Sequence, residues 1–240
     1  MSWIRLRQVA LVAHDLDAVV GALSERFGLE VAFTDPAVAT FGLRNAVLPI
    51  GTQFIEVVTP VRDGTAGGRQ LQRLGGDGGY MVICHTDDQP EVRERVEALG
   101  VRVAFEHDDH GYRIMQLHPA DTWGSFLEVD YQPGGDDPHG PWLPAGPAWQ
   151  AAARTHVVDG ICGVTVQTAR PDETAVRWGA ILGAAVDADG VLALDNATVR
   201  FVPGPVEALV AVEVTGPGAP PADAPVVIGG VMFHQGVRRG

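Results

Sequence analysis

The chain has 240 residues, with 17 Lys+Arg against 30 Asp+Glu, a net charge of −13, and 46% hydrophobic residues. That length suits one large domain or two smaller ones and buries roughly 70% of the unfolded surface, so neither a disulfide nor a metal is needed merely to fold. The acidic balance argues against nucleic acid or an anionic membrane as partner, because phosphates attract clustered cations; every basic residue is Arg, which removes Schiff-base chemistry. Cys84 and Cys162 lie in apolar runs without ligand spacing and read as small buried hydrophobes in a reduced, cytoplasmic chain. The first residues lack the apolar core of a signal peptide, and no run approaches the roughly 20 residues of a membrane span.

In chain order, Leu6–Val12 is a bounded apolar run and predicts a buried strand. Asp15 and Asp17 open a helix whose apolar face is Leu16, Val19, Val20, Leu23 and Phe27, and Gly28 ends it. Glu30–Phe33, Val38–Leu43 and Gln53–Val58 read as three further strands, giving a βαβββ unit. Gly64–Arg73 is glycine-rich without the plan of a nucleotide fold and reads as a flexible flap. A second unit follows: strands Tyr80–Cys84, Arg102–Phe105, Tyr112–Leu117 and Ser125–Tyr131, with a helix over Glu91–Leu99.

The two units are copies. ERFGLEVAF from Glu25 matches EALGVRVAF from Glu97 at five of nine positions, and the same shift of 72 sets Asp15 on Asp87 and FIEV from Phe54 on FLEV from Phe126. A shift of 155 reveals a shorter third copy, with Gly183 under Gly28, Asp172 under Asp17 and Val164 under Val9; fragments beyond Pro203 read as a truncated fourth. The fold class is therefore α+β: tandem βαβββ modules, two full, one shortened and one remnant, forming open cleft-bearing barrels. Residues 1–132 hold the paired modules and the main cleft, the Pro/Gly-rich 133–154 form a linker or ordered strap on which Trp142 and Trp149 dock, and 155–240 form a degenerate domain.

A helix covers one face of each unit's sheet, so the bare faces of two copies meet around a cavity. Strand alternation puts Ile55 and Val57 on the helix side, leaving Phe54 and Glu56 on the cleft side. Glu128, the duplicate of Glu56, then enters the same cleft.

A duplicated βαβββ chain with a glutamate on each last strand resembles the vicinal oxygen chelate superfamily, which includes glyoxalase I, methylmalonyl-CoA epimerase, extradiol dioxygenases and bleomycin-resistance binding proteins. LHPADTWGSFLEV, from Leu117, is similar to a segment of epimerase-like and glyoxalase-like members, and FGLRNAVLPIGTQFIEVVTP, from Phe41, to bacterial glyoxalase-like proteins. The resemblance implies metal ligands at Gln8, Glu56 and Glu128, with Tyr80 standing where the fourth, a histidine, would be. It implies one divalent ion, Mg, Mn, Ni or Zn, or none, since a phenol is a poor ligand. A bound ion would act as a Lewis acid, with Glu128 or Glu56 as the proton carrier.

His118 closes a strand beside Glu128 and reads as a supplier of the missing nitrogen ligand, as a proton shuttle, or as a turn-stabilising residue. Arg69, Asn45 and Tyr80 are candidates for substrate contact, Tyr112 a weaker one; His107 and His110 read as a solvated acidic loop. At the ligand positions the third copy carries Gly163 and Arg200, so the set is gone there. The expected function is a glyoxalase-like lyase or isomerase acting on a small oxygen-rich molecule. The alternative is a metal-free protein that sequesters a small molecule. A homodimer is the assembly expected of single-cleft relatives.

Overall fold

The computed structural model describes residues 2–237. Strand β1 (Ile4–Val12) leads into α1 (Leu16–Phe27), capped by the Asp15 carboxylate and closed by Gly28 in the left-handed conformation. Next come β2 (Leu43–Ile50), β3 (Gln53–Pro60) and α2 (Ala66–Leu74). The second module is β4 (Gly78–Thr86), α3 (Gln89–Ala98), β5 (Val103–Asp109), β6 (Tyr112–Leu117), the single turn α4 (Pro119–Thr122) and β7 (Phe126–Asp130). The third is β8 (Gly160–Thr168), α5 (Pro171–Leu182), β9 (Leu192–Ala193) and β10 (Thr198–Pro203), and the remnant is β11 (Ala208–Thr215), β12 (Val226–Ile228) and β13 (Val231–Gln235). Gly28, Gly100 and Gly183, which align the copies in sequence, all have positive φ at helix ends.

Seven strands form the first sheet in the order β2-β3-β1-β4-β7-β6-β5. The first strands of the two modules pair antiparallel at its centre, and each is flanked in parallel by its own last strand, Ala10 opposite Glu56 and Ile83 opposite Glu128. The second sheet repeats the plan, β12-β13-β11-β8-β10-β9. The helix-covered faces share one core: Val9, Ile55, Val57, Val82, Leu127 and Val129 of the first sheet with Val164, Trp178 and Val212 of the second. At Gly79 the backbones approach so closely that an added Cβ would lie 2.0 Å from the Leu209 carbonyl oxygen. The Asn196 side chain bonds both the N–H and the carbonyl of Leu6, and Gln53 does the same for Ile161, tying the sheets together.

Three expected elements differ. Val38–Leu43 is not a strand: Asp35 caps Ala37, Pro36 starts a 3-10 helix over Pro36–Phe41, and left-handed Gly42 ends it. Glu30–Phe33 contributes a bridge between Phe33 and Val47 rather than a strand. Gly64–Arg73 is not a loose flap but contains most of α2, capped by the Thr65 hydroxyl and closed by Gly75. Gly67 there serves close packing, since a Cβ would come within 3.1 Å of Leu43.

The Pro/Gly-rich segment is ordered and docks on the bare face of the first sheet. Trp142 and Trp149 are buried, with 3-10 turns at Leu143–Ala145 and Trp149–Ala152. Their rings and Phe54 surround the Arg7 guanidinium at 5.1–5.8 Å from the ring centroids. Arg7 donates to the Pro138 carbonyl at 2.7 Å and to that of Thr52, and Arg5 donates to the Gly135 carbonyl. Burial pushes the Arg7 pKa down to about 9, low for a guanidinium but still cationic at neutral pH.

Candidate functional site

A cavity of ≈ 1240 Å³ opens on the bare face of the first sheet, and Gln8, Asn45 and Glu56 line it from one module, Tyr80 and Glu128 from the other. The alternation behaves as expected: Phe54 and Val58 pack on the cavity side and Ile55 and Val57 on the helix side. Residues 56 and 128 thus share one hollow, each on the strand next to the central pair.

Glu56 is buried and both its oxygens are engaged. Gln8 Nε2 donates to one at 2.8 Å and Asn45 Nδ2 to the other at 2.7 Å. Neither amide orientation is arbitrary. The Asn45 oxygen accepts the Asp35 backbone N–H at 2.8 Å, and the Gln8 oxygen accepts Trp142 Nε1–H at 2.8 Å. Both of those donors can only donate, so each NH₂ must face the carboxylate. Burial raises the pKa of Glu56, and the two amide donors oppose that rise.

Glu128 has different company. It contacts the Asp130 carboxyl and the Gln116 amide, and the Tyr112 hydroxyl donates to Asp130 at 2.5 Å. Burial raises both acids; Asp130 raises Glu128 further, whereas the hydrogen bonds from Tyr112 and Glu128 pull Asp130 back down, so Glu128 is the member of the pair pushed well above its ordinary value. One module therefore presents a carboxyl whose two oxygens accept amide protons, which favours its charged form, and the other a carboxyl set against a second acid, which favours its neutral form. Tyr80 lies between them, its pKa pushed up to about 12 by burial and then by Glu56, so it is a neutral hydroxyl.

Tyr80 reaches the cavity through a bulge. The β1–β4 ladder pairs Ala10 with Met81 and Leu11 with Gly79, passing over Tyr80. Asn45, expected in a turn, sits inside β2. Arg69 and Arg73 of α2 border the cavity, as do His107 and His118 from the second module, and Phe41 meets Phe105 edge-to-face at 4.9 Å between the modules. His118 accepts the Ala120 N–H through Nδ1 at 3.2 Å, the turn-stabilising arrangement, while also bordering the cavity. His110 is at the exposed tip of the β5–β6 hairpin. Sequence reasoning missed Asp130, Gln116 and the part played by Trp142. The signal for Asp130 was present, because a residue two beyond Glu128 must share its face.

The donor set does not fit a resident cation. Gln8 turns its NH₂ toward Glu56 and gives its oxygen to Trp142, both Glu56 oxygens hold amide protons, and Glu128 is engaged by Asp130 and Gln116. Among the described residues, no three His, Cys, Asp or Glu side chains form a group able to hold a metal ion. No helix among those residues is long and apolar enough to cross a membrane.

A profile of the glyoxalase-like domain matches residues 9–182, spanning the paired modules and reaching the end of α5. The chain belongs to the glyoxalase-like domain family, and with it to the vicinal oxygen chelate superfamily. No curated protein matches this glyoxalase-like chain. Among solved structures, a hypothetical protein from Staphylococcus aureus is similar over 95% of this chain and 97% of its own, with a TM-score of 0.68 at 15% identity, which supports the two-sheet fold as a whole. A variant of the Streptomyces coelicolor methylmalonyl-CoA epimerase, in complex with 2-nitronate-propionyl-CoA, is 28% identical over 53% of this chain and 96% of its own, with a TM-score of 0.48. The methylmalonyl-CoA epimerase of Mycobacterium tuberculosis is 22% identical over 52% and 86%, with a TM-score of 0.47.

Proposed function

We propose that this glyoxalase-like protein is an enzyme that moves a proton on a small, oxygen-rich substrate without a metal ion, with Glu56 as base and Glu128 as acid. One observation carries the reading: two buried carboxyl centres, one from each module, border the same cavity with opposite hydrogen-bond partners. Environments that drive two acids toward different protonation states are how one site supplies a base and an acid at the same pH.

Glu56 takes a proton from a carbon beside a substrate carbonyl. Negative charge then develops on the carbonyl oxygen. The Glu128 proton and the Tyr80 hydroxyl are the donors available to that oxygen, in a cavity whose buried walls strengthen such bonds. Return of the proton at a different position gives an isomerase; departure of a neighbouring group gives a lyase. Asn45 serves here as a holder of Glu56 more than as a substrate contact. Arg69 borders the cavity where an anionic end of the substrate can reach it. A homodimer in the cytoplasm is part of the same reading.

The test is deuterium wash-in, followed by proton NMR in heavy water over a panel of 2-oxo acids, hydroxyaldehydes and acyl thioesters. Exchange of an α-proton that falls by about 10²- to 10⁴-fold in Glu56→Gln supports the reading. A panel member that binds tightly in the cavity with no exchange and no turnover would contradict it and point to sequestration.

A further inference from the structure

Position 8 holds a residue able to ligate a metal, on the strand and face where the family resemblance places a ligand, yet its side chain is spoken for. The group that commits it is 134 residues away, on the docked strap. Trp142 and Gln8 are each 1% exposed, and the indole N–H points at Gln8 Oε1. An indole can only donate, so this bond decides which end of the amide faces Glu56. With the oxygen held by Trp142, the NH₂ must turn to Glu56. A cation would need the reverse, because ligation uses the amide oxygen.

We propose that Trp142 is a positioning residue that fixes Gln8 as a hydrogen-bond donor to Glu56 and thereby excludes a divalent cation from the site. The strap thus does more than cover the open face. Its indole completes a chain of fixed orientation, Trp142 to Gln8 to Glu56, which Asn45 and the Asp35 backbone mirror on the other carboxylate oxygen. The indole is itself fixed by packing: its ring stacks 10° from parallel with Phe54 and meets Tyr112 edge-on. This inference deepens the proposed function by naming what keeps Glu56 a free base. Its test uses no substrate, so its outcome is separate from that of the reaction.

The experiment titrates the full-length protein with Mn²⁺, read by the loss of the free-ion paramagnetic signal. The wild type takes up no ion at millimolar Mn²⁺. Trp142→Phe, which keeps the ring stack and deletes the N–H, binds one ion at least about tenfold more tightly, the scale on which groups orienting a ligand act. Gln8→Glu, which sets a second carboxylate against Glu56 and leaves the strap in place, binds one as well. Micromolar uptake by the wild type overturns the proposal. So does failure of either variant to gain an ion while folded. A second measurement guards against a Trp142→Phe variant that does not fold. In Gln8→Met the strap stays and the acceptor goes, so the Trp142 indole proton resonance shifts and its solvent exchange accelerates about tenfold or more. An unchanged indole proton overturns the proposal too.

Discussion

The two sheets share one backbone register and differ in what stands on it. In the first, β1 and β3 pair Gln8 with Phe54 and Ala10 with Glu56. In the second, β8 and β10 pair Gly163 with Thr198 and Thr165 with Arg200. Gly163 therefore stands where Gln8 stands, as the shift of 155 implied, and Arg200 stands where Glu56 stands, reached through the shorter segment of the third copy. Around Glu56 the side chains are buried and their bonds are fixed by donors of one kind. Around Arg200 the guanidinium is 48% exposed and reaches Glu213 at 3.6 Å, in the room that the missing side chain of Gly163 leaves. The strap covers the first face. The module plan thus supplies positions, and the chemistry comes from the residues and from what seals them.

The largest expected effect separates the faces by activity. Glu56→Gln lowers α-proton exchange by about 10²- to 10⁴-fold, whereas Glu213→Gln leaves it unchanged, measured on whichever panel compound exchanges. A comparable loss in both would erase the distinction between the faces.

Next is the strap. Trp142→Ala removes a buried ring and costs about 3–5 kcal/mol in urea unfolding. A cost near zero would mean that the strap does not seal the first face.

Third is pH. Asp130 and Glu128 have folded pKa values raised above those of the unfolded chain, so the folded state binds more protons than the unfolded one over that interval. Their contribution is greatest below the ordinary carboxylate range of about 4 and is lost as pH rises through their raised values. Stability by denaturant titration accordingly declines from about pH 4 toward neutrality, and Asp130→Asn flattens the decline. The second sheet offers no counterpart of this acid pair: where β4 and β7 pair Ile83 with Glu128, β11 and β13 pair Glu213 with His234. A wild-type profile that rises across the same interval contradicts the buried pair.

The smallest effect is on the second sheet. Arg200→Ala costs less than about 1 kcal/mol, as half-exposed ion pairs do, measured by urea midpoint.

Much of this was legible beforehand because it rests on short-range rules. The repeated glycines marked the ends of helices, where only a residue free of a Cβ adopts positive φ cheaply. Period-two alternation put Glu56 in the cavity, and the shift of 72 carried Glu128 there with it. What was not legible depends on ladders and on distant contacts. The same shift sets Tyr80 under Gln8, yet Gln8 pairs with Phe54 while Met81 pairs with its duplicate Phe126, so with the bulge at Tyr80 the gap-free alignment runs one residue out of step on this strand. Val38–Leu43 alternates like a strand, but Asp35 and Pro36 start a tight helix first. Trp142 announced only that something docks; its bond to Gln8 spans 134 residues and has no local signature.

The most direct test of the account is the infrared spectrum of the folded protein at neutral pH, compared with those of Glu56→Gln and Glu128→Gln. The account predicts the carbonyl stretch of a protonated carboxyl in the wild type, kept in Glu56→Gln and lost in Glu128→Gln. A wild type without that band, or a band that vanishes with Glu56 instead, would contradict the division of labour between the two modules.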